Sequence, residues 1–249
     1  PSMLTAFNII ATMERGGRAR GGEGLLGWLF KQPWRDPVYL GLMLAFITFG
    51  SGGISGIINA SYQLNNVVHN TTWVVGHFHT TVGTAVALTF MVYAFLLLRE
   101  LYGRELILKN LAPAVPLLWF TGMMIFSIAY YVAGLEGAPR RTSDVTFGGF
   151  LPAEWVLPLQ IGAMGALVFA TGGLIFLVLF FGSLVAGTRV PIAQPATLML
   201  NPHPPGKATI LDRVSLLIIA AVVLVILAYS GVLIELYGRG LQPVPPLSP

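Results

Sequence analysis

Two histidines, His77 and His79, lie one residue apart in the segment WVVGHFHTTVG (73–83), whose other residues are apolar, small or hydroxyl-bearing. Imidazole is the most common metal-binding side chain and titrates near neutral pH. An α-helix turns about 100° per residue, so two steps place these rings on nearly opposite sides of a helix. The pair therefore cannot bind one metal ion together, as an i, i+4 pair can. It predicts two separate partners, one on each side of the helix.

The helix that carries this pair is predicted to cross a membrane. Of the 249 residues, 55% are hydrophobic and only 10% are charged, and the mean hydropathy is +0.76. Soluble domains carry about 25% charged residues, so the composition indicates an all-α polytopic membrane protein. Cysteine is absent, which excludes disulfides and thiolate metal sites. The net charge of +4 reflects an excess of Lys and Arg over Asp and Glu. In a membrane protein such an excess lies mostly in cytoplasmic loops, so no nucleic acid partner is expected.

About six transmembrane helices are expected, because about 20 apolar residues suffice to cross the hydrocarbon core. The first is partial: it starts abruptly, without an initiator Met, so we expect the protein to extend upstream. We expect residues 1–249 to form a single transmembrane helical domain fragment, with spans at about 1–13, 38–60, 73–98, 112–134, 155–187 and 212–237.

The positive charges predict an orientation. Eleven of the 14 Lys and Arg residues fall in three regions, 14–37, 99–111 and 188–213. Because successive spans cross in opposite directions, these three regions lie on the same side of the membrane. Such an excess is typical of the cytoplasmic side. The loops at 61–72 and 135–154 are therefore expected outside, and the histidines lie near the outer end of their helix.

A polar residue inside a membrane is a candidate functional residue. Haem iron often takes a histidine ligand, and two haems flanking one helix, with Phe78 between their ligands, would be close enough for fast electron transfer. The alternative is that each imidazole only forms a hydrogen bond with a neighbouring helix. The spacing alone leaves both interpretations open.

Further motifs extend the pattern. They are GIINASYQLNNVVHNTTWVVGHFHTTVG (56–83), WFTGMMI (119–125), GAPRRT (137–142), the opening PSMLTAFN, and GLLGWLF…PW (25–34). With these motifs the chain resembles the C-terminal portion of subunit I of the haem-copper oxygen reductases, the cytochrome c oxidase type, in the B-type or ba-type branch. Subunit I of that family has twelve or more helices, so the resemblance implies that this chain corresponds to the last six.

The resemblance implies that His77 binds the iron of a high-spin a-type haem. It also implies that His79 is one axial ligand of a low-spin haem, of b- or a-type. In the family, three histidines on earlier helices hold the copper at the oxygen site, and one is linked covalently to a tyrosine. We therefore expect the copper to be held by residues outside this chain. No complete catalytic site is expected here, and the chain alone is expected to be inactive.

Other polar residues are candidate haem contacts. Arg140 and Arg141 lie on the outer side, although Lys and Arg usually concentrate on the cytoplasmic side. There their guanidinium groups could bind haem propionates. The alternative is an ordinary solvated pair. His69 resembles the family position that forms a hydrogen bond with a propionate, and its alternative is also a solvated loop residue. Asn59 and Asn65 lie nearby, and Asn65 stands where the ba-type pattern has an Asp. An amide cannot take up a proton as a carboxylate can.

Two more predictions concern a haem edge and a proton path. Trp73 is close enough to His77 to contact a haem edge. Ser2, Thr5 and Asn8 recur along roughly one face of the first helix, and the resemblance places this stripe on the cytoplasmic proton input to the oxygen site. The hydroxyl groups could instead bond to carbonyls of the preceding turn. Asn8 stands where relatives carry a hydroxyl.

The favoured function is therefore part of a terminal respiratory oxidase in the inner membrane of a prokaryote, which reduces oxygen to water while protons move outward. Expected partners are the remainder of subunit I, a subunit II with a copper centre, cytochrome c or a similar electron donor, and the lipid bilayer. A nitric oxide reductase large subunit is the alternative within the superfamily. A transporter or channel without a cofactor is the alternative from another class, and it leaves the opposite-face histidines unexplained.

Overall fold

The computed structural model describes residues 2–142, 149–192 and 214–239, and nearly all of them are helical. This confirms the expected all-α polytopic class. Five helices among the described residues are long and apolar enough to cross a membrane: Pro37–Ala60, Thr72–Tyr102, Lys109–Leu135, Ala153–Ala186 and Ile218–Glu235.

The chain divides into two units. The larger comprises Pro1–Arg140 and Pro152–Ile192, and the smaller comprises Arg141–Leu151 and Ala193–Pro249. The larger unit contains, in chain order, α1 (Ser2–Ala19), α2 (Gly27–Phe30), α3 (Pro37–Ala60), α4 (Tyr62–Val68), α5 (Thr72–Phe78), a π-helix (His79–Val86), α6 (Ala87–Tyr102), a 3-10 helix (Lys109–Leu111), α7 (Ala114–Leu135) and α8 (Ala153–Ala186). The smaller unit contains α9 (Val214–Arg239).

Two predicted boundaries differ from the structure. Helix α1 continues past residue 13 to Ala19, because an ion pair of 2.6 Å between Arg18 and Glu14, one turn apart, supports the polar end of the helix. The segment 61–72, expected as a loop, contains α4.

The span that carries the histidines is not one regular α-helix. It changes from α-helix to π-helix at His79 and returns to α-helix at Ala87. Three side chains bond to carbonyls of the π-helix. The Thr84 hydroxyl donates to the His79 carbonyl at 2.7 Å, the Trp119 indole to the Gly83 carbonyl at 2.8 Å, and the Thr89 hydroxyl to the Ala85 carbonyl at 2.6 Å. Short π-helices occur often at functional sites.

Glycines allow the helices around the histidines to pack closely, as is typical in membranes. A Cβ added at Gly76 of α5 would lie 2.7 Å from the Ser127 carbonyl oxygen of α7. A Cβ added at Gly122 of α7 would lie 2.3 Å from the backbone nitrogen of Phe169 in α8. Helix α7 is therefore fixed between α5 and α8.

Candidate haem site

The imidazole of His77 is held by the neighbouring helix α3. Its Nδ1 atom lies 2.8 Å from the hydroxyl oxygen of Ser55, and that hydroxyl donates to the Gly52 carbonyl at 2.9 Å. Because the single hydroxyl proton is directed to the carbonyl, Nδ1 is the donor to Ser55 Oγ. Nε2 is then the ring nitrogen left to bind a metal ion.

The imidazole of His79 is held by its own helix. Its Nδ1 atom lies 2.8 Å from the Val75 carbonyl oxygen, which can only accept, so Nδ1 is the donor and Nε2 is left as the nitrogen that could bind a metal ion. The ring lies against α7, with its centroid 4.4 Å from that of Phe126. Such a bond to the second ring nitrogen fixes the tautomer and orientation of a metal-binding histidine.

The two rings lie against different helices. His77 contacts α3 and His79 contacts α7, while Phe78 between them is 54% exposed. This agrees with the opposite-face geometry expected from the spacing. Neither Nε2 atom has a partner among the described residues. The arrangement is chemically suited to two separate metal centres on either side of one helix.

Trp73 and Arg140 supply unpartnered donors near the outer end of the same helix. Trp73 lies one turn before His77 and is 8% exposed, with its ring centroid 4.5 Å from that of Tyr131. Its indole nitrogen and the Nε atom of Arg140 are buried and have no hydrogen-bond partner within the described part of the chain. Buried N–H groups without partners are rare and costly, and a carboxylate such as a haem propionate would satisfy both. The residues present therefore fit a haem.

Arg140 is positioned by backbone pairing between residues 70–72 and 138–140. The amide of Thr72 donates to the Ala138 carbonyl at 2.8 Å, and the amide of Arg140 donates to the Asn70 carbonyl at 2.9 Å. Asn70 adopts a left-handed conformation, with φ of 61°, which asparagine tolerates well. Its side-chain oxygen also accepts from Arg140 Nη2 at 3.3 Å. The guanidinium is thus tied to the chain that leads into α5.

The remaining candidate haem contacts differ in their setting. Asn59 lies one turn after Ser55 on α3, and its buried side-chain oxygen has no partner among the described residues. That oxygen is an acceptor, so it would need a donor such as water. His69 is exposed at the end of α4, and its backbone amide donates to the Asn65 carbonyl at 2.7 Å. Arg141 is exposed, has φ of 62° and belongs to the smaller unit.

Two residues of the predicted proton path line one groove. The groove has a volume of about 580 Å³, and its polar lining residues include Thr5, Asn8 and Thr12 of α1 together with Arg20, Gln32 and Tyr39. The Thr12 hydroxyl donates to the Asn8 carbonyl at 2.7 Å, so Thr12 bonds within its own helix. The side chain of Ser2 lies outside the described part of the structure.

The structure adds residues that the sequence did not single out. They are Ser55, which accepts from His77; Phe126, which packs on His79; and Tyr131, whose hydroxyl lies 3.0 Å from that of Thr80. The i, i+4 spacing of Ser55 and Asn59 was a usable signal, since it puts both on one helix face. The sequence did not indicate which helices pack against each other, so the contact between α3 and His77 could not be predicted.

Comparison with known proteins supplies the context for this geometry. Residues 1–168 match the profile of the family described as "Cytochrome C and Quinol oxidase polypeptide I". Cytochrome c oxidase subunit 1 of Thermus thermophilus is 37% identical over 98% of this chain and 44% of its own length. A probable quinol oxidase subunit 1 of Staphylococcus haemolyticus is 28% identical over 71% of this chain and 26% of its own length.

A solved structure agrees with these relatives. A chain of a haem-copper terminal oxidase dimer, determined by cryo-electron microscopy, matches with a TM-score of 0.72 and 31% identity, over 92% of this chain and 42% of that one. The chain thus spans less than half the length of the Thermus relative and of the solved structure. Since the family profile covers well over half of its residues, the chain belongs to the cytochrome c and quinol oxidase polypeptide I family.

Proposed function

We propose that this chain is the haem-binding C-terminal part of subunit I of a prokaryotic terminal oxidase, which reduces oxygen to water and pumps protons. His77 would bind the iron of the high-spin haem, and His79 that of the low-spin haem. One observation carries the proposal: two imidazoles that contact different neighbouring helices, each with Nδ1 partnered and with Nε2 unpartnered among the described residues. A transporter without a cofactor gives no reason for this matched pair.

The other residues would hold the periphery of the haems. Trp73 and Arg140 would donate hydrogen bonds to propionates, and Arg141, His69, Asn59 and Asn65 would complete that outer polar layer. When bound, haem would supply one-electron redox chemistry at its iron. The role of the chain is to fix each iron ligand in one tautomer and to neutralise the propionate charge.

Family membership implies haem and copper cofactors, a complex of several subunits and a membrane location. We propose in more detail a high-spin a-type haem, a low-spin b- or a-type haem, and copper held by residues outside this chain. Among the described residues, no three His, Cys, Asp or Glu side chains come together to hold a metal ion. The proposed partners are the rest of subunit I, a copper-bearing subunit II and cytochrome c or a similar donor in the inner membrane. Residues 1–249 would form one transmembrane domain within that assembly.

The experiment that tests the proposed function is a haem and carbon monoxide titration of the complete membrane complex. We expect two haems per copy of this chain by pyridine haemochrome. We also expect carbon monoxide to perturb only one of them, because a low-spin haem held by His79 and a second ligand outside this chain would leave carbon monoxide no place to bind. Oxygen uptake with a reduced donor should accompany this spectrum. A preparation without haem would contradict the proposal, and one that reduces nitric oxide but not oxygen would favour the reductase alternative.

Replacing Ser55 with alanine should weaken the high-spin site alone. The change removes the acceptor for His77 Nδ1 and frees the ring to rotate. Loss of such an outer-shell partner typically costs about 10–100-fold in metal affinity or activity. The measurement is the rate of high-spin haem loss, followed by the carbon monoxide difference spectrum. Ser51→Ala is the matched control, because the Ser51 hydroxyl bonds only to the Thr48 carbonyl of its own helix. Equal effects of the two variants would contradict a specific role for Ser55.

We further propose that Ser2, Thr5 and Asn8 serve the cytoplasmic proton input to the oxygen site. Thr5→Val should slow oxygen turnover by about tenfold, less than the ~10²–10⁴-fold that a proton-transfer group contributes at a reacting centre. Both haem spectra should be unchanged. Thr121→Val is the control, since Thr121 is an exposed residue of α7 outside the groove and its hydroxyl bonds to the Leu117 carbonyl of its own helix. If the two variants turn over oxygen equally, the stripe is not the path.

A further inference from the structure

A second candidate binding site lies at the other end of the helix that carries the histidines. It is about 25 residues, or roughly 37 Å at ~1.5 Å per residue, from His77. This basic cleft has a volume of about 300 Å³ and is lined by Tyr102, Gly103, Arg104, Arg189, Val190 and Ile192. It shares no residue with the haem site, and it does not rest on the proposed function.

Two distant chain segments build the basic cleft by backbone pairing. The amide of Glu105 donates to the Thr188 carbonyl at 3.0 Å, and the amide of Val190 donates to the Gly103 carbonyl at 2.9 Å. Gly103 adopts a left-handed conformation, with φ of 57°, and a Cβ there would lie 2.7 Å from the Val190 carbonyl oxygen. Only glycine allows this close approach. The pairing sets Arg104 opposite Arg189 in an isolated antiparallel bridge.

The two arginines differ in their own partners. Arg104 is half-buried, and its Nη1 atom donates to the Gly187 carbonyl at 2.8 Å, which holds the guanidinium in place. Arg189 is exposed and has no side-chain partner among the described residues. Among the residues that the structure describes, no carboxylate lines the cleft. The nearest acid along the chain, Glu105, is paired with Lys109 at 2.6 Å, and the hydrogen bond from Lys109 holds the pKa of Glu105 below its usual value. The positive charge of the cleft is therefore not neutralised by this carboxylate.

The position of the basic cleft indicates the type of ligand. It lies where the spans Thr72–Tyr102 and Ala153–Ala186 end, on the side that the charge distribution assigns to the cytoplasm. Lipid phosphates lie at this depth, and basic pockets between membrane helices on the cytoplasmic side bind anionic headgroups. Apolar side chains beside it are exposed, with Tyr102 at 61% and Val185 at 82%.

We propose that this cleft binds the phosphate of an anionic phospholipid from the cytoplasmic leaflet. Arg104 and Arg189 donate to the phosphate oxygens, since guanidinium groups match phosphate geometry. The acyl chains lie along the exposed apolar side chains at the ends of α6 and α8. These apolar contacts favour a lipid over a free phosphate ion, which would gain nothing from them.

The test is native mass spectrometry of the complete complex with phosphatidylglycerol, and with phosphatidylcholine of the same acyl chains. We expect phosphatidylglycerol to bind at least tenfold more tightly, and Arg189→Gln to remove that preference. Arg35→Gln is the matched control, because Arg35 is exposed on the same predicted side and lies outside the cleft. Haem content, measured in parallel, should be equal in all variants and so excludes misfolding as the cause.

Three results would overturn the proposal. One is equal binding of the two lipids, and another is equal loss of the preference in Arg189→Gln and Arg35→Gln. The third concerns the source of the phosphate: if glycerol phosphate without acyl chains displaces the lipid at the same concentration, the cleft binds free phosphate esters. Arg189→Gln is the variant that decides the outcome, since the Arg189 side chain has no partner among the described residues and its loss should not disturb the fold.

Discussion

Replacing His79 with alanine is expected to remove the low-spin haem and leave the high-spin haem in place. The proposed iron ligand is lost, whereas the hydrogen bond that holds His77 comes from another helix, α3. Oxygen turnover should fall by more than the ~10–100-fold that loss of an outer-shell partner costs. The measurement is the reduced-minus-oxidised spectrum, with and without carbon monoxide, on the purified complex.

The reciprocal variant provides the control. His77→Ala should abolish the carbon monoxide response and keep the low-spin spectrum, because the Val75 carbonyl that orients His79 is untouched. Both variants should retain the same helix content by circular dichroism. If either substitution removes both haems while the protein stays folded, the assignment of one haem to each ring is wrong.

Replacing Gly134 with alanine is expected to destabilise the protein strongly. A Cβ at this position of α7 would lie 2.2 Å from the backbone nitrogen of Trp73 and 2.8 Å from its Cα. Backbone atoms cannot move aside as a flexible side chain can, so α5 must separate from α7. Overpacking typically costs about 1–3 kcal/mol, and we expect the upper end of that range or more, measured as a fall in the thermal midpoint.

The same substitution should also weaken haem binding, because displacement of Trp73 moves the start of the helix that carries both histidines. Gly231→Ala in α9 is the matched control: a Cβ there meets nothing within 4 Å, and alanine favours the helix. A Gly134→Ala protein with an unchanged midpoint would mean that α5 and α7 are not in contact at this position.

The sequence was sufficient to predict the helical class and the opposite-face placement of His77 and His79, because both follow from composition and helical period. It did not predict the π-helix that begins at His79. That segment depends on tertiary partners, including the Trp119 indole that donates to the Gly83 carbonyl. Periodicity describes a helix and its faces, but it contains no information on which neighbour bonds to which carbonyl.

The candidate site, too, has residues that the sequence predicts and residues that depend on tertiary contacts. Trp73 and Arg140 were predicted from their positions near the histidines and on the outer side, and burial of their unpartnered donors strengthens that hypothesis. The acceptor for His77 was not predicted, since Ser55 lies in GSGGISG (50–56), a glycine-rich segment typical of close helix packing. Gly52 does pack closely, with a Cβ there lying 2.4 Å from Thr81 Cγ2. The spacing of Ser55 and Asn59 marks one polar face of α3, but only the packing of α3 beside α5 identifies the Ser55 hydroxyl as the partner of His77.

The two imidazoles are anchored to different parts of the molecule, and this has a mechanical consequence. His79 bonds to a carbonyl one turn away in its own helix, so its ring moves with that helix as a rigid unit. His77 bonds across to α3, so a small slide between the two helices changes the tilt of its ring. Strain that arises elsewhere in the molecule would therefore reorient the ring of His77, the proposed ligand of the high-spin haem, and leave the ring of His79 unaltered.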